Sequence, residues 1–280
     1  MSLKSLKIAK STGKHEPFNI EKIKRSLLKA GAKESLAQQI IEKIKKGPKI
    51  KSTGELYKLI LKYLHDTDRV VAARYNLKYA LMELGPAGYS FEQFAAELFK
   101  NMGYQIQVGA KLKGFCVEHE VDFEATKDNE RILAECKFHN RRGLKSDVKV
   151  ALYMKSRFDD IKKRHQEINT QETHKAIIIT NTKFTSETVK YAECVNISLI
   201  DWSYPYGNSL ADIINNLGLH PITTLTSLNK KQKEILINNG LILCKQAPEK
   251  IELLKNLRLT EYKTEKILEE IEAVCKGKTK

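Results

Sequence analysis

The 280-residue sequence contains few of the residues that interrupt or cross-link a fold: six prolines, fourteen glycines and five cysteines. The cysteines are odd in number and lack Cys-x-x-Cys spacing, which argues against a disulfide scaffold and against a zinc cluster. No apolar run reaches the ~18 residues of a membrane span, and no signal-peptide pattern stands at the start. No Gly-x-x-x-x-Gly-Lys-Ser/Thr loop occurs. These absences predict a soluble, cytoplasmic protein without the common phosphate-binding loop.

Positive charge is abundant and unevenly distributed. The formal net charge is +15, and residues 1–89 hold nineteen Lys or Arg against eight Asp or Glu. Residues 90–205 are almost balanced, with eighteen against seventeen. Such an excess favours a polyanionic partner, either nucleic acid or nucleotide phosphate, and it is also compatible with simple solubility.

The middle of the chain alternates helical and strand-like patterns. Residues 90–104 carry apolar side chains at helical spacing, with Ser90 and Gln93 as a capping box and Gly103 at the end. Strand-like segments follow at 105–108, 119–125, 131–138, 176–180 and 197–201, and helical patterns at 145–168 and 185–194. This alternation predicts an α/β fold.

Two of these strands carry the residues that a metal-dependent phosphodiesterase needs. Asp122 lies in the first strand, and Glu135 and Lys137 lie on one face of the second. We expect a turn at 127–130 to lay Asp122 beside Glu135. Two adjacent carboxylates repel each other unless a cation joins them, and hard oxygen ligands favour Mg²⁺. A lysine beside that ion can orient water and stabilise charge growing on a phosphate.

The acid-x-Lys string alone is weak evidence, because it also begins at Asp147, Asp160 and Glu261. Those three acids lie in polar, helix-patterned segments, where an acid and a lysine two residues apart point to different sides. For the two strands, the alternative is an ordinary hairpin with a solvated charged face.

For two neighbouring residues, Glu124 and His139, a structural role is expected rather than a functional one. Glu124 shares a strand face with Asp122 and could be a further ligand, but we expect an exposed carboxylate near the strand end. His139 extends the face of Lys137 and could contact phosphate, but we expect a hydrogen-bonded surface histidine.

Six short motifs occur in a fixed order over residues 87–205. They are Phe91-Glu92, Met102-Gly103-Tyr104, Val121-Asp122, Glu135-Cys-Lys137, Ile179-Thr-Asn-Thr-Lys-Phe184 and Leu199-Ile-Asp201. With these motifs the segment resembles the Mrr-like branch of the restriction endonuclease superfamily, the PD-(D/E)xK nucleases. The resemblance implies a restriction-endonuclease-like mixed-sheet core and Mg²⁺-dependent hydrolysis of phosphodiester bonds in DNA.

The same resemblance implies roles for four residues. Asp122 and Glu135 would be the metal ligands, and Lys137 would be the catalytic lysine. Glu92 would be the acidic residue that some members carry on the first helix. One departure is the acidic segment 118–120, where many members have a Gly-rich turn.

The first 86 residues have a different pattern. Two short apolar segments flank the turn 11–14 and predict a hairpin, and four helical patterns follow at about 19–31, 34–46, 53–64 and 68–84. Asn19 is a good cap for the first helix, and Ser52-Thr-Gly-Glu55 is a capping box for the third.

A hairpin followed by four helices resembles the ATP-cone, the nucleotide-binding regulatory module of ribonucleotide reductases. The residues that carry this resemblance include Lys10, Gly13, Glu16, Asn19, Lys22 and Thr53, and together with Tyr57 these six would form the nucleotide site. By that resemblance Lys10 and Lys22 would meet phosphates, and the ligand would be regulatory ATP or dATP. Tyr57 stands where some members have a histidine, and the usual Lys-Arg-Asp-Gly turn is Lys10-Ser-Thr-Gly13 here.

The C-terminal third turns helical after the aromatic segment 202–207. Helices are predicted near 227–240, 248–256 and 260–275, similar to a helix-hairpin-helix unit that grips DNA backbones. A helical cap or a dimerisation element is the alternative. We therefore divide the chain into an ATP-cone at 1–86, an Mrr-like nuclease domain at 87–205 and a helical domain at 206–280.

Together these patterns predict a Mg²⁺-dependent DNA endonuclease regulated by ATP or dATP, with DNA and nucleotide as partners and a possible homodimer. The alternative is a nucleotide-responsive DNA-binding protein with an inactive nuclease fold. A transcriptional regulator of nucleotide metabolism is disfavoured, because no zinc-ribbon pattern precedes the cone.

Overall fold

The structure is a computed structural model that describes residues 7–9, 15–48, 50–85, 88–167 and 173–276. The chain opens with an antiparallel pair of strands, β1 (Lys7–Ala9) and β2 (His15–Pro17), in which Lys7 lies opposite Pro17. Four helices follow: α1 (Ile20–Lys29), α2 (Glu34–Lys46), α3 (Thr53–Thr67) and α4 (Arg69–Met82). The predicted hairpin and four helices are confirmed.

Side-chain caps fix where these helices begin. The Asn19 side chain accepts a hydrogen bond from the backbone N–H of Lys22 at 3.1 Å, and the Ser52 hydroxyl accepts one from the N–H of Glu55, also at 3.1 Å. Each cap satisfies a backbone donor that has no partner within its helix. The Glu55 carboxylate accepts from the N–H of Lys51 at 2.8 Å and not from that of Ser52, so the predicted capping box is only half formed.

The central region is a five-stranded sheet with helices on both faces. In chain order its elements are α5 (Tyr89–Asn101), β3 (Gln105–Lys113), β4 (Glu118–Lys127), β5 (Glu130–Lys137), β6 (Lys145–Ser146), α6 (Val148–Glu167), β7 (Thr173–Thr180), β8 (Lys183–Phe184), α7 (Ser186–Cys194) and β9 (Ser198–Ile200). The strand order is β3-β4-β5-β7-β9. The first two pairings are antiparallel, and β5, β7 and β9 run parallel.

One helix start differs from the sequence prediction. Helix α5 begins at Tyr89 with Gly88 as its N-cap, and no side chain caps it. Ser90 therefore lies inside the helix, and Gln93 donates to the Tyr89 hydroxyl at 2.8 Å. The Ser90/Gln93 capping box is wrong, because the first turn starts two residues earlier than the Ser-x-x-Gln pattern indicates.

Two apolar clusters sandwich the sheet. On one face Phe91 and Phe94 of α5 pack with Phe123 and Ala134 of the strands. On the other face Leu133 and Ile178 pack with residues of α6 and α7, such as Met154. The predicted alternation of β5 is thus confirmed, since Leu133 and Ala134 belong to opposite clusters.

The C-terminal helices share the first of these clusters. They are α8 (Leu210–Leu217), α9 (Lys230–Asn238), α10 (Ile251–Lys255) and α11 (Glu261–Cys275). Leu236 and Ile267 pack into the same core as Phe94 and as Leu81 of α4. The Thr223 hydroxyl also donates to the carbonyl of Ala80 at 2.7 Å. Helix α4 therefore joins the N-terminal helices to the rest of the molecule. None of the described helices is long and apolar enough to cross a membrane.

His220 makes the stability of the protein dependent on pH. The side chain is fully buried, and burial, with a smaller effect of Arg74, lowers its pKa from 6.5 to about 4. The folded protein favours the neutral imidazole, so this stability is present above pH 6.5 and is lost as pH falls towards 4. We expect the free energy of unfolding to drop by up to about 3 kcal/mol from this residue over that interval.

Urea unfolding at pH 7.5 and pH 4.5 would measure the effect, with His220→Gln losing much of the pH dependence. His65→Gln, at a side chain that is 41% exposed, is the matched control and should retain the wild-type dependence. An equally steep dependence in His220→Gln would show that other groups cause the acid sensitivity.

Candidate functional site

Asp122 and Glu135 lie side by side on neighbouring strands. The β4–β5 register pairs Lys127 with Glu130 at the turn and Phe123 with Ala134 at the far end, and Asp122 and Glu135 follow directly. The backbone N–H of Cys136 donates to the Asp122 carboxylate at 2.6 Å, which ties the acid to the opposite strand. The predicted meeting of the two acidic positions across a tight hairpin is therefore observed.

A bend in β4 helps to direct Asp122. Val121 packs into the cluster that contains α6, whereas Phe123 packs into the cluster that contains α5. Two residues that a flat strand would place on one face thus enter cores on opposite faces. In the β3–β4 register the residue across from Asp122 is Gly109, whose φ of 61° is in the left-handed region. Glycine adopts this conformation without strain, so it suits the bend.

The charges of Asp122 and Glu135 also act on the carboxyl group of Glu92, which lies on α5. Burial and the charges of Asp122, Glu135 and Glu120 raise its pKa from 4.5 to about 7. Burial also raises the pKa of Asp122, and burial together with the Asp122 charge raises that of Glu135. Three carboxyl groups whose pKa values are all raised indicate a site with excess negative charge, which a bound cation would relieve.

Arg157 is a residue of this site that the sequence reasoning missed. Its guanidinium donates to the Glu135 carboxylate at 2.8 Å and also lies 4.3 Å from the centre of the Tyr153 ring. Arg157 comes from α6, a helix whose polar pattern suggested only solvated charges. The register of a helix against a sheet is not visible in the sequence, so no local signal could have identified it.

Lys137 lies at the exposed end of β5, and a buried polar network holds the backbone there. The Thr180 hydroxyl donates to the carbonyl of Lys137 at 2.7 Å. Asn181 accepts from the N–H of His139 at 2.9 Å and donates to its carbonyl at 2.8 Å. Thr180 and Asn181 are both fully buried. They belong to the Ile-Thr-Asn-Thr-Lys-Phe motif, which gives that motif a structural role: it positions the strand end that carries Lys137.

The donor set suits a hard divalent cation. Asp122 and Glu135 supply two carboxylates, which Mg²⁺ accepts while keeping water or phosphate oxygens as its other ligands. Within the described residues, no three His, Cys, Asp or Glu side chains are placed to hold a metal ion. A fully protein-made cage is therefore absent there, and the two-carboxylate arrangement fits Mg²⁺ better than zinc.

The expectations for Glu124 and His139 have different outcomes. Glu124 is only 8% exposed, and Arg131 donates to its carboxylate at 2.7 Å. The expectation of an exposed carboxylate is wrong, because the strand packs this side chain beside an arginine of the next strand. His139 is half-buried, and its ring lies 3.1 Å from the Ser146 hydroxyl, as expected for a hydrogen-bonded histidine.

The N-terminal candidates gather around a second feature, a cleft of ≈ 680 Å³. Asn19, Lys22, Thr53 and Tyr57 all line it. Lys10 and Gly13 lie outside the described residues, as does the side chain of Glu16. The candidates whose side chains are described therefore meet at one place.

The far wall of this cleft comes from the central region. Trp202 and Tyr206, on the segment after β9, line it together with the N-terminal helices, and Tyr206 is 99% exposed. Tyr57 itself is engaged: its ring stacks on Tyr79 with centroids 3.7 Å apart, and its hydroxyl donates to Asn76. The aromatic contribution of the 202–206 segment was not predicted, because it depends on how the two regions pack.

Comparison with known proteins agrees with this architecture. A protein of Archaeoglobus fulgidus, described only as uncharacterized, is 35% identical over 180 residues, which are 64% of this chain and 98% of that protein. Residues 220–275 match the family described as AF1548-like, C-terminal. The chain belongs to the AF1548-like family. The crystal structure of AF1548, a protein of unknown function, is 33% identical and covers 68% of this chain and 98% of its own, with a TM-score of 0.54.

Two further matches describe the rest of this AF1548-like chain. Residues 6–80 match the ATP cone domain, and residues 86–204 match the restriction endonuclease family. An ATP-cone domain is thus followed by a restriction-endonuclease-like domain and an AF1548-like C-terminal domain, and the predicted order of the first two is confirmed. The mixed α/β fold class is confirmed as well.

Proposed function

We propose that the protein is a Mg²⁺-dependent DNA endonuclease whose activity responds to ATP or dATP bound by the ATP-cone. The observation that carries the proposal is the juxtaposition of Asp122 and Glu135, with Lys137 two residues along the same strand. A restriction-endonuclease-like domain and an ATP-cone in one chain support nuclease activity under nucleotide control. The net charge of +15 favours a polyanionic substrate.

In this proposal Asp122 and Glu135 hold the metal ion. The metal, when bound, supplies positive charge against the scissile phosphate and lowers the pKa of nearby water. The hydrogen bond from Cys136 keeps the Asp122 carboxylate on the site side of the sheet. Arg157 fixes the Glu135 carboxylate from the α6 side, so the ligand is oriented before a cation arrives.

Lys137 is the proposed catalytic lysine. Its side chain is exposed, and its backbone is held by Thr180, so the ammonium can approach a phosphate docked on the two acids. There it would orient the attacking water and stabilise charge that develops on the phosphate oxygens. Glu92, with its pKa raised to about 7, is proposed as a proton-accepting neighbour of that water. The products would carry 5′-phosphate and 3′-hydroxyl ends.

The nucleotide site is proposed to use Asn19, Lys22, Thr53 and Tyr57, which line the cleft, together with Lys10, Gly13 and Glu16. We also propose that a homodimer brings two such nuclease sites to the two strands of a duplex. The C-terminal helices would contact the DNA backbone, in line with the expected helix-hairpin-helix character.

Nicking of supercoiled plasmid tests the function directly. Purified protein should convert the plasmid to nicked and linear forms in Mg²⁺ and not in EDTA, and ATP or dATP should change the rate. Binding of plasmid without cleavage under every nucleotide condition would instead favour a nucleotide-responsive DNA-binding protein with an inactive nuclease fold.

A further inference from the structure

A second cavity, of ≈ 270 Å³, lies where the ATP-cone meets the nuclease domain. Ten of the described residues line it, and none of these ten is acidic. Four of them are cationic: Lys78, Arg142, Lys145 and Lys183. Thr53 and Thr182 add hydroxyl groups to the same wall. We refer to this space as the junction cavity. None of its four cations has a role in the proposed nuclease chemistry.

The sheet register places the backbones of two of these cations side by side. In the parallel pair of β6 and β8, Lys145 lies opposite Lys183, and Ser146 lies opposite Phe184. Like charges directly opposite each other in a ladder destabilise it. The pair has only these two rungs, so a repulsive rung is half of its pairing. An anion between the lysines would convert this repulsion into attraction.

The other two cations increase the positive potential. Lys78 is half-buried, and its pKa is lowered by burial, by the charge of Lys183 and, less strongly, by that of Arg142. The charge of Asp201 acts in the opposite direction and raises it. The guanidinium of Arg142 lies 3.2 Å from the centre of the Tyr79 ring. Among the described residues, none of the four cations forms an ion pair with a carboxylate. Their arrangement is that of an anion site.

The junction cavity also borders the larger cleft. Thr53, Lys78 and Tyr79 line both spaces. Trp202 and Tyr206 line the cleft side, where the Lys78 ammonium lies 5.5 Å from the centre of the Trp202 ring, and Arg142, Lys145 and Lys183 line the junction side. An extended ligand with a planar apolar end and a polyanionic tail matches this division.

We propose that the junction cavity binds the polyphosphate of the nucleotide and that Lys78, Arg142, Lys145 and Lys183 are its ligands. The assignment rests on the proposed function only in taking a nucleotide as the ligand of the cone. It makes the nucleotide site a composite, in which the nuclease domain supplies three of the four cations of the junction cavity.

The position of these cations gives the nucleotide a route to the nuclease site. Arg142 and Lys145 lie on the segment between β5, which ends at Lys137, and α6, which carries Arg157. Phosphates bound by Arg142 and Lys145 would restrain both the end of β5 and the start of α6. Occupancy of the junction cavity therefore controls how firmly Lys137 and Arg157 are placed.

Equilibrium dialysis of full-length protein with radiolabelled ATP tests the assignment. The protein carries Asp122→Asn, so that duplex DNA binding by the same variants can be measured without cleavage. Arg142→Gln and Lys183→Gln should each weaken ATP binding about tenfold or more, because each removes a charge-assisted hydrogen bond. Lys230→Gln, at a side chain that is 83% exposed on α9, loses the same charge and should bind normally. Tripolyphosphate should compete with ATP in wild type, and this competition should weaken in the two junction variants.

The outcomes separate this inference from the proposed function. Unchanged ATP and tripolyphosphate affinity in both junction variants would overturn the inference, while plasmid nicking by the wild-type protein would still support the nuclease. Weaker duplex DNA binding in these variants with normal tripolyphosphate binding would assign the cations to DNA and also refute it. Weakened polyphosphate binding in a protein that never nicks plasmid would uphold the junction site and reject the nuclease proposal.

Discussion

Plasmid nicking by Asp122→Asn and by Lys137→Met is expected to be at least about 10²-fold slower than nicking by the wild-type protein. Asp122→Asn keeps an oxygen that can accept the hydrogen bond from Cys136 but removes the charge that a cation needs. Lys137→Met keeps most of the side-chain length but removes the ammonium that would face the phosphate. The measurement is the initial rate of loss of supercoiled plasmid at fixed Mg²⁺ and nucleotide.

Matched controls are available on one face of α6. Asp159→Asn and Lys155→Met make the same chemical changes at an ion pair that lies on the surface of that helix. Exposed ion pairs contribute little to stability, so both controls should fold and nick plasmid at close to the wild-type rate. Wild-type activity in Asp122→Asn and Lys137→Met would show that the cleavage comes from another site or from a contaminant.

Leu81→Ala should lower the free energy of unfolding of the whole protein by about 2–5 kcal/mol. Leu81 lies on α4, within the segment that matches neither the ATP-cone nor the restriction endonuclease family, and it is fully buried. It packs in the same cluster as Phe94 of the nuclease core and Leu236 of the C-terminal helices. A cavity at this position therefore weakens contacts among three regions. Urea unfolding followed by circular dichroism measures the change.

The control for this variant is Leu152→Ala, at a leucine that is 45% exposed on α6. The same truncation there removes little buried area, so we expect a change within about 0.5 kcal/mol. A loss as small as this in Leu81→Ala would mean that α4 does not unite the regions in one core. In that case a protein without residues 1–86 should keep a folded nuclease domain. The observed packing predicts the opposite, because removing these residues exposes the nuclease core.

Much of the local structure follows from short-range patterns. The Asn19 and Ser52 caps, the glycine that ends α5 and the tight turn before β5 all depend on neighbouring residues, and all are observed. The Ser90 cap was wrong because a Ser-x-x-Gln pattern can also lie within the first turn of a helix. The two-residue strands β6 and β8 were not predicted, because such short segments have no measurable alternation.

The order of the ATP-cone and nuclease-like regions was predicted from the resemblance that their short motifs carry. Local patterns in the sequence predicted the longer helices and strands and the pairing of Asp122 with Glu135. These are consequences of periodicity and turn chemistry, which act over a few residues. Tertiary packing alone brings Arg157 to Glu135, Trp202 and Tyr206 to the cleft of the cone, and four cations to the junction cavity. Those contacts join residues far apart in the chain, and the packing of helices on the sheet sets which of them meet.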